Sequence, residues 1–145
     1  MPNMIFEGAA NWKSGIECNL IVKGKQIATV SPPPAFGGKE GYCAPEEIFA
    51  ASLASCMNTL FLLIARNSQL TLKKRETKAA VTMNIEGLEK LIFTHIHFAM
   101  NAKLEKDDAH ERKKADSVYL IAQRMCPLTQ SWGDKVPVSF ELNFQ

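Results

Sequence analysis

PEEIFAASLASCMNTLFLLIAR, residues Pro45 to Arg66, is the stretch on which the reading of this chain turns. From Ile48 to Ala65 it holds no charge, no glycine and no proline. Good helix formers fill it, with Glu46 and Glu47 in the first turn and Arg66 at the end, both matched to the helix dipole. Pro45 suits a first helical position, where a missing N–H costs nothing. Ala50, Ala51, Ala54, Cys56, Leu60, Leu63 and Ile64 leave hardly any face polar, which predicts a helix buried nearly all round. Its one reactive side chain is Cys56. The uncharged run just reaches the roughly 18-residue lower limit for crossing a bilayer. Ser52, Ser55, Asn58 and Thr59 at its centre and the weakly apolar first half argue against a membrane span.

Upstream lies the one long loop, Ser31 to Ala44, SPPPAFGGKEGYCA. Three prolines stiffen it, and Gly37, Gly38 and Gly41 permit backbone angles other residues avoid. A loop of this length leading straight into the central helix is expected to wall a pocket there, with Phe36, Phe49, Met57 and Lys39 as candidate lining. Before it, Ile16, Cys18, Leu20 and Val22 alternate with Glu17, Asn19, Ile21 and Lys23, the period of a half-buried strand. Gly24 marks a tight turn into a returning strand, Gln26 to Ser31, and a further strand is expected near Met4 to Ala10. Cys18 falls on the apolar parity and reads as a small core residue, and Cys43 as an incidental loop thiol.

Downstream, Arg75, Thr77, Ala79, Val81, Met83 and Ile85 alternate against Lys74, Glu76, Lys78, Ala80, Thr82 and Asn84. Glu86-Gly87 turns the chain into a second long strand, Leu91 to Asn101. Ile92, Ile96, Phe98 and Met100 take one face of it and His95 and His97 the other. A His-x-His pair can bind metal, but no acidic or third histidine partner is identifiable, so solvent-facing or interface histidines are expected. Asp107 or Asp108 caps a helix over Ala109 to Met125, whose core face is Ala115, Val118, Ile121, Ala122 and Met125. Its first turns carry Glu111, Arg112, Lys113 and Lys114 as a solvated face. Val136 to Phe144 alternates as a final strand, with Pro137 marking it as an edge.

A chain of 145 residues at 46% hydrophobic has the material for one core, and residues 1–145 read as a single domain. The net charge of +2, from scattered lysines, gives no footprint for nucleic acid. Met1 to Trp12 lacks the basic start and apolar block of a signal peptide, so a cytoplasmic protein is expected. Four cysteines in that setting read as buried thiols or redox chemistry. With no C-x-x-C or H-x-x-x-H spacing, neither a zinc site nor any other cofactor is expected.

Arg124-Met125-Cys126-Pro127-Leu128-Thr129-Gln130 ends the second helix. Pro127 is tolerated only where a new helix begins, which makes Cys126 the cap of a short helix through Trp132. The free N–H groups there favour a thiolate. PEEIFAASLASC, followed about seventy residues later by this Cys-Pro, resembles the OsmC/Ohr family of thiol-dependent peroxidases. FGGKEGYCAPEE is similar to that family's glycine-rich approach to the helix, and the order of elements matches over essentially the whole chain.

The resemblance implies an α+β fold built as an intertwined homodimer with two sites at the subunit interface. It implies reduction of organic hydroperoxides, or less well of hydrogen peroxide. Cys56 would be the peroxidatic cysteine, Cys126 the resolving cysteine and Glu46 the carboxylate ten residues before Cys56; a dithiol reductant of unspecified identity would reset the pair. Ten residues of straight helix span about 15 Å, so either the helix is interrupted or Glu46 of one chain approaches Cys56 of another. The chain departs from the family in one respect. The family's thiol is activated by an arginine from the N-terminal strands, whereas the first arginine here is Arg66. Lys13 and Lys39 are the nearby cations by segment, without the bidentate fork of arginine. Two functions therefore stand side by side: a peroxidase, or a non-catalytic dimer that binds an apolar or acyl-type ligand in the interface pocket.

Overall fold

Lys23 and Gly24 both take left-handed backbone angles, with φ of 51° and 74°. A two-residue turn of this kind matches the twist of the strands it joins. It joins β2 (Glu17–Val22) to β3 (Lys25–Val30), and β1 (Ala9–Ser14) completes an antiparallel sheet in the order β1-β2-β3. The computed structural model describes residues 2–87 and 89–145; Met1, the first residue of the N-terminal stretch read above, lies outside them. The chain divides into two compact units, Met1–Phe49 and Ala50–Gln145.

In the first unit the strand expected near Met4 begins only at Ala9, and Met4, Ile5 and Phe6 are exposed. The parity expected for β2 also fails at its start. Ile16 is 54% exposed while Glu17 is buried. The carboxylate tolerates burial because it has partners: Oε2 accepts from the Ile16 N–H at 2.9 Å, and Oε1 lies 3.7 Å from Lys39 Nζ. Cys18 is half-buried between Trp12 and Val30 in the sheet register. The long loop is ordered. It turns through a 3-10 helix, Pro34–Phe36, and returns so that the Ser31 N–H donates to the Cys43 carbonyl at 3.0 Å and the Lys39 N–H to Ser31 Oγ at 3.0 Å. Gly38 is required there: a Cβ would fall 1.5 Å from the Pro32 carbonyl oxygen.

Helix α1 runs unbroken over Pro45–Asn67, so the interrupted-helix alternative falls. Glu47 Oε1 accepts from the Ala44 N–H at 2.9 Å, closing its first turn. Burial all round is not observed. Leu53, Met57, Phe61, Ile64 and Ala65 form one buried stripe, whereas Leu62 and Leu63 are 48% and 44% exposed and Ala51, Ser52, Ser55 and Thr59 also face out. A helix packed on one side within its own chain covers only one stripe. By length and composition α1 could cross a bilayer, a test that core helices also pass.

In the second unit β4 (Leu72–Ile85) pairs antiparallel with β5 (Leu91–Leu104), and β6 (Val138–Phe144) joins β5 in parallel as the outer strand. Pro137 precedes β6, its carbonyl accepting from the Ile96 N–H, and the strand takes the edge position that the proline predicts. Two helices connect β5 to β6: α2 (Ala109–Met125), capped by Asp108 Oδ1 on the Glu111 N–H at 2.8 Å, and α3 (Pro127–Trp132). Ile96, Phe98, Met100, Ala102 and Leu104 are buried from β5. A register shift between Thr82 and Met83 then pairs Met83 with Phe93, and Ile92, expected on the core face, is half exposed. From α2 the buried residues are Ala115, Val118, Tyr119 and Ala122. Ile121 and Met125, expected in the core, are 42% and 47% exposed, and Tyr119 fills their place. Its ring meets Phe61 and Phe140 edge-on, each at 6.1 Å, and Phe140 stacks on Phe98 at 5.4 Å. The architecture is α+β, in the expected order of elements.

Candidate active site

Cys126 stands where one helix stops and another starts. It is the residue after α2 and the cap of α3, with Pro127 as the first residue of the new helix. Thr129 Oγ1 ties the junction by donating to the carbonyls of Cys126 at 3.0 Å and Gln123 at 3.2 Å. Cys126 has no exposed surface. Cys56, in the middle of α1, is half-buried. Both are free thiols, and their sulfurs lie 4.0 Å apart. A disulfide needs about 2.05 Å, so the two sulfurs are neighbours but not bonded.

The electrostatics oppose ionisation in the single chain. The Cys56 thiol is pushed up from 9.0 to about 11, first by burial, then by the neighbouring Cys126 through charge and hydrogen bonding. The cations proposed for it from sequence have partners within their own unit. Lys13 and Lys39 sit over the Tyr42 ring at 5.4 and 5.7 Å, and Lys39 also faces Glu17.

Sequence reasoning missed Arg75. On β4 its Nε donates to Asn58 Oδ1 at 2.8 Å, where Thr77 Oγ1 also donates at 2.6 Å, and its guanidinium stands 5.6 Å from the Phe61 ring. Nη1 is buried without a hydrogen-bond partner among the described residues, and burial lowers the pKa of the group. The signal was present: Arg75 occupies the parity shared by Thr77, Ala79 and Val81, which turns toward α1. Asn58 is two residues from Cys56, about 200° around the helix, so this cation braces α1 from the flank away from the thiol.

The other predicted site residues are scattered in character. Glu46 Oε2 is buried and has no hydrogen-bond partner among the described residues. Phe36 and Phe49 are half-buried, and Lys39 is exposed. Met57 is fully buried. Two surface grooves stand out. One of about 680 Å³ is lined by Ile5, Phe6, Ala9, Ile21 and Val22 in the first unit, and one of about 330 Å³ by Leu62, Arg66, Leu70 and Leu72 in the second. Neither includes a cysteine or the four expected lining residues. His95 and His97 do have an acidic neighbour after all: Glu141 on β6 reaches His97. Among the described residues no group of three His, Cys, Asp or Glu could hold a metal ion. Cys43 is exposed.

Residues 37–141 match the family described as OsmC-like protein. The organic hydroperoxide resistance protein-like 1 of Staphylococcus saprophyticus is 23% identical over 137 residues, 94% of each chain. Among solved structures, an OsmC-like protein from Vibrio cholerae superposes with a TM-score of 0.81 at 17% identity, covering 97% of this chain and 99% of that one. An organic hydroperoxide resistance protein from Elizabethkingia anophelis gives 0.78 at 16% identity, covering 99% and 100%. A third, from Vibrio cholerae and bearing captopril in one of its active sites, gives 0.72 at 21%, covering 97% and 94%.

Proposed function

Because this chain belongs to the OsmC-like family, we propose that it is a thiol peroxidase acting on small organic hydroperoxides through Cys56 and Cys126. The observation that carries the reading is the pair of free thiols 4.0 Å apart, contributed by elements seventy residues apart in sequence. Their exposure supports the order of events. A peroxide can reach half-buried Cys56, while Cys126 waits behind it, fully enclosed.

The Cys56 thiolate attacks the distal peroxide oxygen; the O–O bond breaks, the sulfur becomes a sulfenic acid, and the departing alkoxide takes a proton to give the alcohol. Cys126 then attacks that sulfur, water leaves, and the disulfide forms. A dithiol reductant restores both thiols by exchange. A reducing cytoplasmic setting goes with this cycle.

A thiol held near 11 by burial and Cys126 is mostly protonated at neutral pH, so the reading requires a cation beside Cys56. A second copy of the chain is the proposed source. The exposed apolar side of α1, with Leu62 and Leu63, is the surface two copies would share, and it would let Glu46 of one chain serve Cys56 of the other. A monomer in analytical ultracentrifugation with full activity would rule the dimer out.

The test of the activity is consumption of an alkyl hydroperoxide with dithiothreitol as reductant. Cys56→Ser is expected to lower the rate at least about a thousandfold, the scale for losing a nucleophile. Equal rates in the two proteins would sink the peroxidase reading. In Cys126→Ser, a sulfenic-acid probe should label Cys56 alone.

A further inference from the structure

The face of the β4-β5-β6 sheet turned away from α1 and α2 carries a chain of polar groups that the thiol chemistry does not use. His97 pairs with Ser139 in the parallel register, and His95 and Glu141 lie two residues along on their strands. The period of two places all four side chains on one face. His95 Nε2 lies 2.9 Å and His97 Nδ1 2.6 Å from one atom, Ser139 Oγ. On its far side His97 Nε2 lies 3.1 Å from Glu141 Oε2. The two rings are nearly parallel, 14° apart, with centroids 6.4 Å apart.

Counting protons fixes the direction of this chain. The Glu141 carboxylate accepts from the Asn143 side chain at 2.9 Å and faces His97 with its other oxygen, so it is the acceptor of that pair. His97 therefore carries its hydrogen on Nε2 and turns the Nδ1 lone pair toward Ser139. The serine hydroxyl has one hydrogen, which goes to that lone pair, and His95 Nε2–H donates to the same oxygen. Two imidazole nitrogens thus aim at a single point. One already presents a lone pair, and the other does so once its proton moves to Nδ1 through solvent.

We propose that His95 and His97 form an open site for a divalent transition-metal ion of the zinc or copper class, bound by His95 Nε2 and His97 Nδ1. Imidazole nitrogen is a preferred donor for these ions, with bonds of about 2.1 Å. Glu141 holds the remaining N–H of His97, the arrangement that orients a metal-bound imidazole and raises its basicity. The His97 side chain is 37% exposed, so an ion reaches it from solvent. No third His, Cys, Asp or Glu among the described residues closes the site. The other positions fall to Ser139 Oγ and water, and the ion exchanges freely with chelators.

The experiment is a titration of the reduced full chain with zinc, followed by calorimetry and by the ring-nitrogen NMR signals of its three histidines. The same titration on Cys56→Ser/Cys126→Ser removes those thiols as competing ligands. Zinc is expected to move the His97 Nδ1 and His95 Nε2 signals and to leave His110 unmoved, in both proteins. His97→Ala should weaken binding at least tenfold, and Glu141→Gln by about tenfold, the lower end for an outer partner of a ligand. Shifts confined to His110, binding that disappears with the two thiols, or an affinity unchanged in His97→Ala would overturn the site. Should His97→Ala fail to fold, the ring signals of the unaltered protein decide the matter alone.

Discussion

The two faces of the β4-β5-β6 sheet use the same strands to opposite ends. On the helix side, Phe98 and Phe140 stack beneath Tyr119 and Phe61. Arg75 and Thr77 both donate to Asn58 there, and burial raises the Cys56 thiol toward its neutral form. On the other side, displaced by one residue along each strand, His95, Ser139, His97 and Glu141 form an ordered polar chain, and the carboxylate keeps its charge. One step in sequence moves a side chain from a medium that suppresses charge to one that supports it. The chemistry proposed for each face follows from that step.

The largest expected effect concerns the thiol. In the single chain the alkylation rate of Cys56 should rise about tenfold per pH unit from 7 to 10, because only the thiolate reacts. Since the folded pKa of about 11 exceeds the ordinary 9.0, the fold favours the protonated form. Its contribution to stability is complete below pH 9 and is lost as pH rises through 11. In an active dimer the rate should level off nearer neutrality. If it continues to climb toward pH 11 there, the ligand-binding function replaces the peroxidase.

Truncations then compare the faces directly. Phe98→Ala, at a fully buried ring, should cost about 3–5 kcal/mol in chemical denaturation, from lost transfer energy and the cavity left behind. Asn58→Ala should cost about 1–3 kcal/mol, since it strands the Arg75 and Thr77 donors. Ser139→Ala, on the open face, should cost about 1 kcal/mol or less because water replaces the lost bonds. A Ser139→Ala cost equal to that of Phe98→Ala would erase the contrast between the faces.

What was legible in sequence was local. The bounds of α1, the Asp108 cap, the turn at Lys23-Gly24 and the Cys126-Pro127 junction each depend on residues a few positions apart. What was not legible depends on a neighbour brought in from elsewhere. Glu17 is buried because Lys39 from the loop faces it. Arg75 is half-buried with Asn58 on α1 accepting from it. Glu141 reaches His97 only through a parallel pairing, which no turn in the sequence announces. Both cysteines were identified, but their separation and unequal exposure needed the fold.

The parallel pairing of β6 on β5 also bears on how the second unit forms. β5 follows β4 directly in sequence, whereas β6 reaches β5 only across the α2-α3 connection. Until then the open edge of β5, with Ile96, Phe98 and Met100 on one side, is a template for any passing strand. Contacts this distant in sequence form slowly. The later β6 pairs, the longer that edge of β5 stands open to another strand.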